Sequence, residues 1–81
     1  MKNKMYCIKD VLVGFKPPFT APNNNCAIRL FTQLVNAVDS NDVKTNPSDY
    51  QLFYIGELDD QTGEFESSVE FLANAIDLKE V

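Results

Sequence analysis

The sequence contains no histidine and no tryptophan, and it has only three glycines and two cysteines in 81 residues. Without histidine, the chain lacks the commonest general base and the commonest metal ligand. Its glycines, Gly14, Gly56 and Gly63, are isolated from one another and form no phosphate-binding loop. These absences argue against an enzyme, and they indicate neither a cofactor nor a metal site.

The two cysteines, Cys7 and Cys26, belong to no CxxC motif. The first ten residues, MKNKMYCIKD, include lysines but lack the apolar stretch of a secretion signal. We therefore expect reduced cysteines that pack as small apolar side chains, with a Cys7–Cys26 disulfide as the alternative. The chain also has no run of about 18 apolar residues, which predicts a protein without a membrane span.

The composition that remains is typical of a globular chain, with 44% apolar and 23% charged residues. Its length predicts a single domain over residues 1–81. A domain this small buries only roughly 60% of the surface that its unfolded chain exposes. Its stability as a monomer is therefore expected to be marginal, and we expect it to be stabilised by a partner or by copies of itself.

The first half of the chain predicts a strand, a loop and a helix. Residues 5–10 alternate as a strand does, and three prolines predict a loop over residues 15–22. Asparagines at 23–25 are strong helix N-caps, and the helix is predicted over about residues 24–39. Its expected buried stripe has the spacing of an amphipathic helix and comprises Ala27, Leu30, Phe31, Leu34 and Val38.

The second half predicts a β-hairpin over about residues 50–66. Residues 50–58 are rich in aromatic and β-branched side chains, and DDQTG predicts a turn closed by Gly63. Residues 67–81 are predicted to form an arm or a single helical turn. The alternatives are a short helix that turns Val69, Leu72 and Ile76 inward, or an arm ending in a strand at residues 75–78.

These elements predict an α+β fold, in which a small antiparallel sheet of the N-terminal strand and the hairpin packs on one amphipathic helix. The predicted core comprises Tyr6 or Cys7, Ile8, Leu30, Phe31, Leu34, Val38, Leu52, Tyr54 and Phe65. One helix covers one face of the sheet only. Since Phe53 and Ile55 would lie on the other face, we expect a homo-oligomer, most simply a dimer, unless the C-terminal segment or the Phe15–Phe19 loop closes that face.

Charge is distributed unevenly along the chain, whose net charge is −5. Residues 1–44 carry six basic and three acidic side chains, whereas residues 45–81 carry one basic and nine acidic side chains. Lysines interleaved with aromatic residues are typical of single-strand binders, which pair phosphate contacts with base stacking. The candidate DNA-binding residues are Lys2, Lys4, Tyr6, Lys9, Lys16, Phe19 and Arg29.

Arg29 is expected to matter most among these, because it lies near the start of the predicted helix, where free N–H groups also favour phosphate. Pairing of Arg29 with Asp49 or Glu57 is the alternative. The acidic net charge of the chain argues against DNA binding. The alternative role of its aromatic residues is to pack in the core.

Four segments of the chain resemble a known family. They are MKNKMYCIKD, the loop PPF, the helix AIRLFTQLVN and the block NPSDYQLFYIGELDDQTGEFE. Together they resemble the small non-structural protein of gokushoviruses, single-stranded-DNA phages of the Microviridae, over residues 1 to about 66. The block Pro47–Glu64 is specific in combination, although no single part of it is.

The resemblance implies a phage protein that is made in the host bacterial cytoplasm and is absent from the mature capsid. It implies a non-enzymatic role in replication or packaging of a single-stranded DNA genome, with single-stranded DNA as the ligand. The alternative is an acidic adaptor that binds a viral or host replication protein without touching DNA.

Overall fold

A computed structural model describes residues 1–80, and the last residue of the predicted arm, Val81, lies outside the described residues. Its strands are β1 (Lys2–Asp10), β2 (Gly14–Phe15), β3 (Phe19–Thr20), β4 (Tyr50–Asp59) and β5 (Phe65–Asn74). Its helices are α1 (Asn24–Val35), α2 (Asp42–Thr45) and α3 (Ala75–Leu78), and a 3₁₀ turn spans Pro47–Asp49. This arrangement confirms the predicted α+β fold.

The sheet is antiparallel throughout, and β1 and β4 lie at its centre. The β1–β4 pairing runs from Lys2 opposite Asp59 to Asp10 opposite Tyr50. β5 pairs with the other side of β4, whereas the two-residue strands β2 and β3 pair with the outer side of β1. The proline-rich segment at 15–22, predicted as a loop, therefore also supplies short edge pairings.

Helix α1 begins where the asparagines predict. The Asn23 side chain accepts a hydrogen bond of 2.9 Å from the Cys26 backbone N–H and caps the first turn. The predicted end near residue 39 is wrong, because α1 stops at Val35 and the following Asn36 adopts a non-helical conformation. The backbone N–H and the side-chain Nδ2 of Asn36 each donate a 3.1 Å hydrogen bond to the Thr32 carbonyl oxygen at the helix end.

The buried side of α1 is narrower than predicted. Ala27, Phe31 and Val35 are buried, at a spacing of four, and pack with Tyr6 and Leu52 of the sheet. Three residues expected in the core are not there. Leu30 lies beside the buried stripe, Val38 follows the helix end and is 97% exposed, and Phe65 lies at the sheet edge.

The C-terminal segment also departs from the prediction. The arm is wrong for residues 67–74, because β5 continues to Asn74 and pairs along β4. A single helical turn then follows at Ala75–Leu78, as predicted. Val69 and Ile76 stay exposed, so this segment does not close the second face of the sheet.

The cysteines are not joined to each other. Cys7 is buried, and burial raises the pKa of its thiol, while Cys26 is half-buried at the start of α1. Both side chains pack as the sequence predicts for reduced cysteines. Among residues 1–80, none of the helices has the length and apolar character needed to cross a bilayer.

Candidate nucleic-acid interface

Two faces of the sheet differ in what covers them. Side chains alternate along a strand, and cross-strand partners lie on the same face. Tyr6 pairs with Tyr54 on the face that packs against α1. Cys7 pairs with Phe53, and Phe53 pairs with Phe71, on the opposite face, which we call the open face.

Three phenylalanines from three strands form a row on the open face. The ring centroids of Phe15 and Phe53 are 5.3 Å apart, and those of Phe53 and Phe71 are 5.6 Å apart. Both contacts are edge to face, with interplanar angles of 75° and 72°. Phe15 is 50% and Phe71 48% exposed, so this aromatic row offers ring surface to a ligand.

Lys9 adds a positive charge to the aromatic row. Its Nζ lies 5.4 Å from the centroid of Phe15 and 5.8 Å from that of Phe53. Such cation–π contacts are worth about 0.5–1 kcal/mol at exposed sites. They hold the Lys9 ammonium beside the rings. A phosphate adjoining a base stacked on these rings would lie near this ammonium.

The aromatic candidates from the sequence do not belong to this row. Tyr6 is fully buried, and its hydroxyl donates a 2.8 Å hydrogen bond to Asn24 Oδ1. Burial raises the pKa of this hydroxyl. Phe19 is half-buried, and its ring centroid lies 5.9 Å from that of Tyr6. Tyr6 is therefore a core residue, and its expected stacking role is wrong.

The basic candidates are dispersed rather than aligned. Lys2 forms a 3.1 Å ion pair with Glu66, which raises the pKa of the lysine through a hydrogen bond and through charge. The Lys16 Nζ lies 5.2 Å from the Tyr50 ring centroid. Arg29 is exposed on α1, and no carboxylate of residues 1–80 lies within 4.0 Å of its guanidinium. Of the predicted site residues, Lys9 is the one that contacts the aromatic row.

Lys2 and Lys4 instead line a cleft of about 440 Å³ at the other end of β1. Glu57 lies in the same cleft. Nearby, the N-terminal ammonium donates a 2.8 Å hydrogen bond to Asp60, which lowers the pKa of that carboxyl. The cleft is therefore mixed in charge and does not form a basic track. Within residues 1–80, no three histidine, cysteine or acidic side chains are grouped closely enough to hold a metal.

Sequence reasoning found part of the open face. The sequence predicts that Phe53 lies on the face of the sheet that the helix does not cover. Phe71 is absent from the predicted site, because the sequence predicts an arm over residues 67–81. The signal that could have found it is the apolar pair Phe71–Leu72, which a continued strand places beside β4.

The chain matches the model of a known protein family. A family model described as Phage ORF5 protein matches residues 3–78, a range that includes β1, α1, β4 and β5. No curated protein and no solved structure matches the chain.

Proposed function

Because this chain belongs to the Phage ORF5 protein family and is therefore a phage protein, we propose that it binds single-stranded DNA through the open face of its sheet. In this proposal it is a non-enzymatic, non-structural factor that assists replication or packaging of a single-stranded genome. The resemblance of residues 1–66 to the gokushovirus protein supports both the ligand and a site of action in the host bacterial cytoplasm.

The observation that carries the proposal is the aromatic row. The half-exposed rings of Phe15 on β2 and Phe71 on β5, with the Phe53 ring of β4 between them, offer stacking positions for unpaired bases. Stacking is worth about 1–3 kcal/mol per base. Because every base has a π-face, this binding would depend little on sequence. The flanking rings Phe15 and Phe71 are the expected stacking positions, and Phe53 holds them at a fixed separation.

The dispersal of the basic residues leads us to expect a weak salt dependence. Each phosphate contact on a single strand contributes a slope of about −0.7 to log K against log salt. Lys9 alone would give about −0.7, whereas a track of all five basic candidates would give about −3.5. The overall charge of −5 opposes DNA at long range, so stacking supplies most of the affinity in this proposal.

Stacking is tested by fluorescence anisotropy with a labelled oligothymidine of about 12 nucleotides. Phe71→Leu keeps an apolar side chain but removes the ring, and we expect it to weaken binding about fivefold or more. Phe71→Tyr should bind as the wild type does, because tyrosine keeps the aromatic ring that Phe71→Leu removes. Val38→Ala changes a 97% exposed side chain elsewhere and is the matched control. Equal affinity of Phe71→Leu and the wild type would refute the proposal.

The charge contribution is tested by a salt series with Lys9→Gln and Arg29→Gln. The two variants change the net charge equally, but Lys9 contacts the aromatic row and Arg29 lies on the helix that covers the opposite face. We expect Lys9→Gln alone to reduce the salt slope. The reverse result would support the phosphate role that the sequence predicts for Arg29 and would move the DNA interface to α1.

A further inference from the structure

The two edges of the sheet are built differently. At one edge, β1 is covered by two strands of two residues each, with Pro17 and Pro18 between them. Prolines and very short strands are common protections against pairing with another chain. At the other edge, β5 extends over ten residues and contains no proline, lysine or arginine. Among residues 1–80, no strand pairs with its outer side.

The charges beside this edge are of one sign. Glu66 on β5 lies opposite Glu57 on β4, and like charges in this position destabilise a strand pair. Glu70 lies opposite Tyr54, on the same face. The pKa of Tyr54 is raised, first by burial and then by the charges of Glu57, Glu66 and Glu70. Three carboxylates therefore share one side of the β4–β5 pair.

Two cations of β1 compensate part of this charge, and one of them, Lys4, lies opposite Glu57 in the β1–β4 pairing. Lys2 reaches Glu66 across the sheet at 3.1 Å, but both side chains of this pair are well exposed, and such pairs are weak. Glu70 has no ion-pair partner among residues 1–80. A basic side chain on an added strand would be the direct cross-strand partner that Glu66 and Glu70 lack.

The open face supplies apolar contacts along the same edge. Phe71 is half-exposed on that face, and Val69 of the same strand is 62% exposed. On an added strand, alternate side chains point to opposite faces. A segment that alternates basic and apolar residues would thus place its basic groups beside the glutamates and its apolar groups beside Phe71.

We propose that the outer edge of β5 binds an extended, lysine- or arginine-bearing segment of another protein as an additional strand of the sheet. The main chain of β5 supplies the hydrogen bonds, as in other cases of strand addition, and Glu66 and Glu70 select basic residues. A second copy of this chain fits less well, because its β5 has no basic residue to place opposite these glutamates. This edge borders the face proposed to bind DNA and shares Phe71 with it, whereas Glu66 and Glu70 lie on the opposite face.

The test uses the intact protein and a ten-residue peptide that alternates lysine and valine. Its matched control is the same peptide N-methylated at every residue, which keeps the charge but removes all of its main-chain hydrogen-bond donors. We expect the unmodified peptide alone to bind in calorimetry and to protect β5 amides in hydrogen exchange. Equal binding of both peptides would overturn the proposal, because it would show attraction by charge alone.

The site is tested by the double variant Glu66→Gln, Glu70→Gln. We expect about tenfold weaker binding of the peptide, the order expected for two exposed ion pairs. The control variant Asp39→Asn, Glu80→Gln makes the same change in net charge away from β5 and should bind as the wild type does. Equal loss in both variants, or protection of β5 amides by self-association without peptide, would overturn the proposal.

Discussion

Gly56 occupies a position in β4 that other residues cannot take without strain. Its φ is +140°, where side-chain-bearing residues are rare, and an added Cβ would collide with the Glu66 carbonyl oxygen and the Phe65 ring. The close approach occurs where the pairing with β5 shifts register between Tyr54 and Gly56. This glycine therefore permits the shift of register in the β4–β5 pairing.

We predict that Gly56→Ala lowers the free energy of unfolding by about 2–4 kcal/mol, through backbone strain and displacement of β5. Gly14→Ala is the matched control, since Gly14 has a φ of +132° but open space around its Cβ position. It should cost about 1–3 kcal/mol, from strain alone. Urea denaturation measures both, and an equal loss in the two variants would contradict the clash at Gly56.

Tyr6 makes the core sensitive to alkaline pH. Burial raises the pKa of its hydroxyl above the ordinary value of 10.0, and burial also raises the pKa values of Tyr50 and Tyr54. A group whose pKa is raised by folding stabilises the folded state below its unfolded pKa. That contribution is lost as the pH rises through the folded pKa.

We predict that the free energy of unfolding falls as the pH rises above about 10. Tyr6→Phe should make this fall less steep, because it removes one buried ionisable group. At neutral pH the free energy of unfolding of the variant should be about 1 kcal/mol lower, because the hydrogen bond to Asn24 is lost. Urea denaturation from about pH 8 to pH 11 measures both effects. Parallel profiles for the two proteins would contradict the role of Tyr6.

Asn36 connects two elements that are distant in sequence. Its Nδ2 donates to the carbonyl oxygens of Thr32 and Leu78, at 3.1 and 2.9 Å, and its Oδ1 accepts from the Glu80 backbone N–H at 2.8 Å. One side chain thus caps the end of α1 and holds α3 against it. The amide carries both donors and an acceptor, which is why asparagine suits this position.

We predict that Asn36→Ala loosens residues 75–80 and costs about 1–2 kcal/mol. Hydrogen exchange of these amides should become faster, while the β1–β4 ladder keeps its protection. Asn25→Ala is the control, because Asn25 is exposed and makes no side-chain hydrogen bond within residues 1–80. Unchanged exchange at 75–80 in Asn36→Ala would show that α3 is held by apolar packing instead.

Within residues 1–80, the C-terminal segment does not cover the open face of the sheet, where Phe71 and Val69 stay exposed. Self-association therefore stays a prediction, because exposed apolar side chains favour contact with a second protein surface. The same rings that would stack with bases would be buried between two copies that met through this face. We therefore propose that a dimer formed through the open face and DNA binding exclude each other.

Light scattering at micromolar concentration is expected to show a dimer of the free protein, which a saturating oligothymidine converts to protein–DNA complexes containing one chain. Phe71→Leu removes a ring from the shared surface, so it should shift the free protein towards monomer. A monomer at all concentrations would refute the dimer without affecting the DNA proposal. A dimer that persists with bound DNA would place the contact elsewhere, for example on β5.

Local signals in the sequence predicted the starts and turns of most elements. Asn23 caps α1 as expected, and Gly63, with a φ of +77°, closes the hairpin turn. The periodicity does not indicate the end of α1 at Val35, because Val38 lies four residues after Leu34 and continues the apolar spacing. The partner that fixes Asn36 there, Leu78, lies in a remote segment whose position depends on the sheet.

The residues alone determined the fold class, the hairpin and the face of α1 that carries Phe31, because these follow from local periodicity and turn chemistry. Only the tertiary structure decided that β5 continues to Asn74 and that Phe15, Phe53 and Phe71 meet beside Lys9. The reason is register. Which side chains lie together on a sheet depends on pairing between strands distant in sequence, and a shift of one residue would send them to the opposite face.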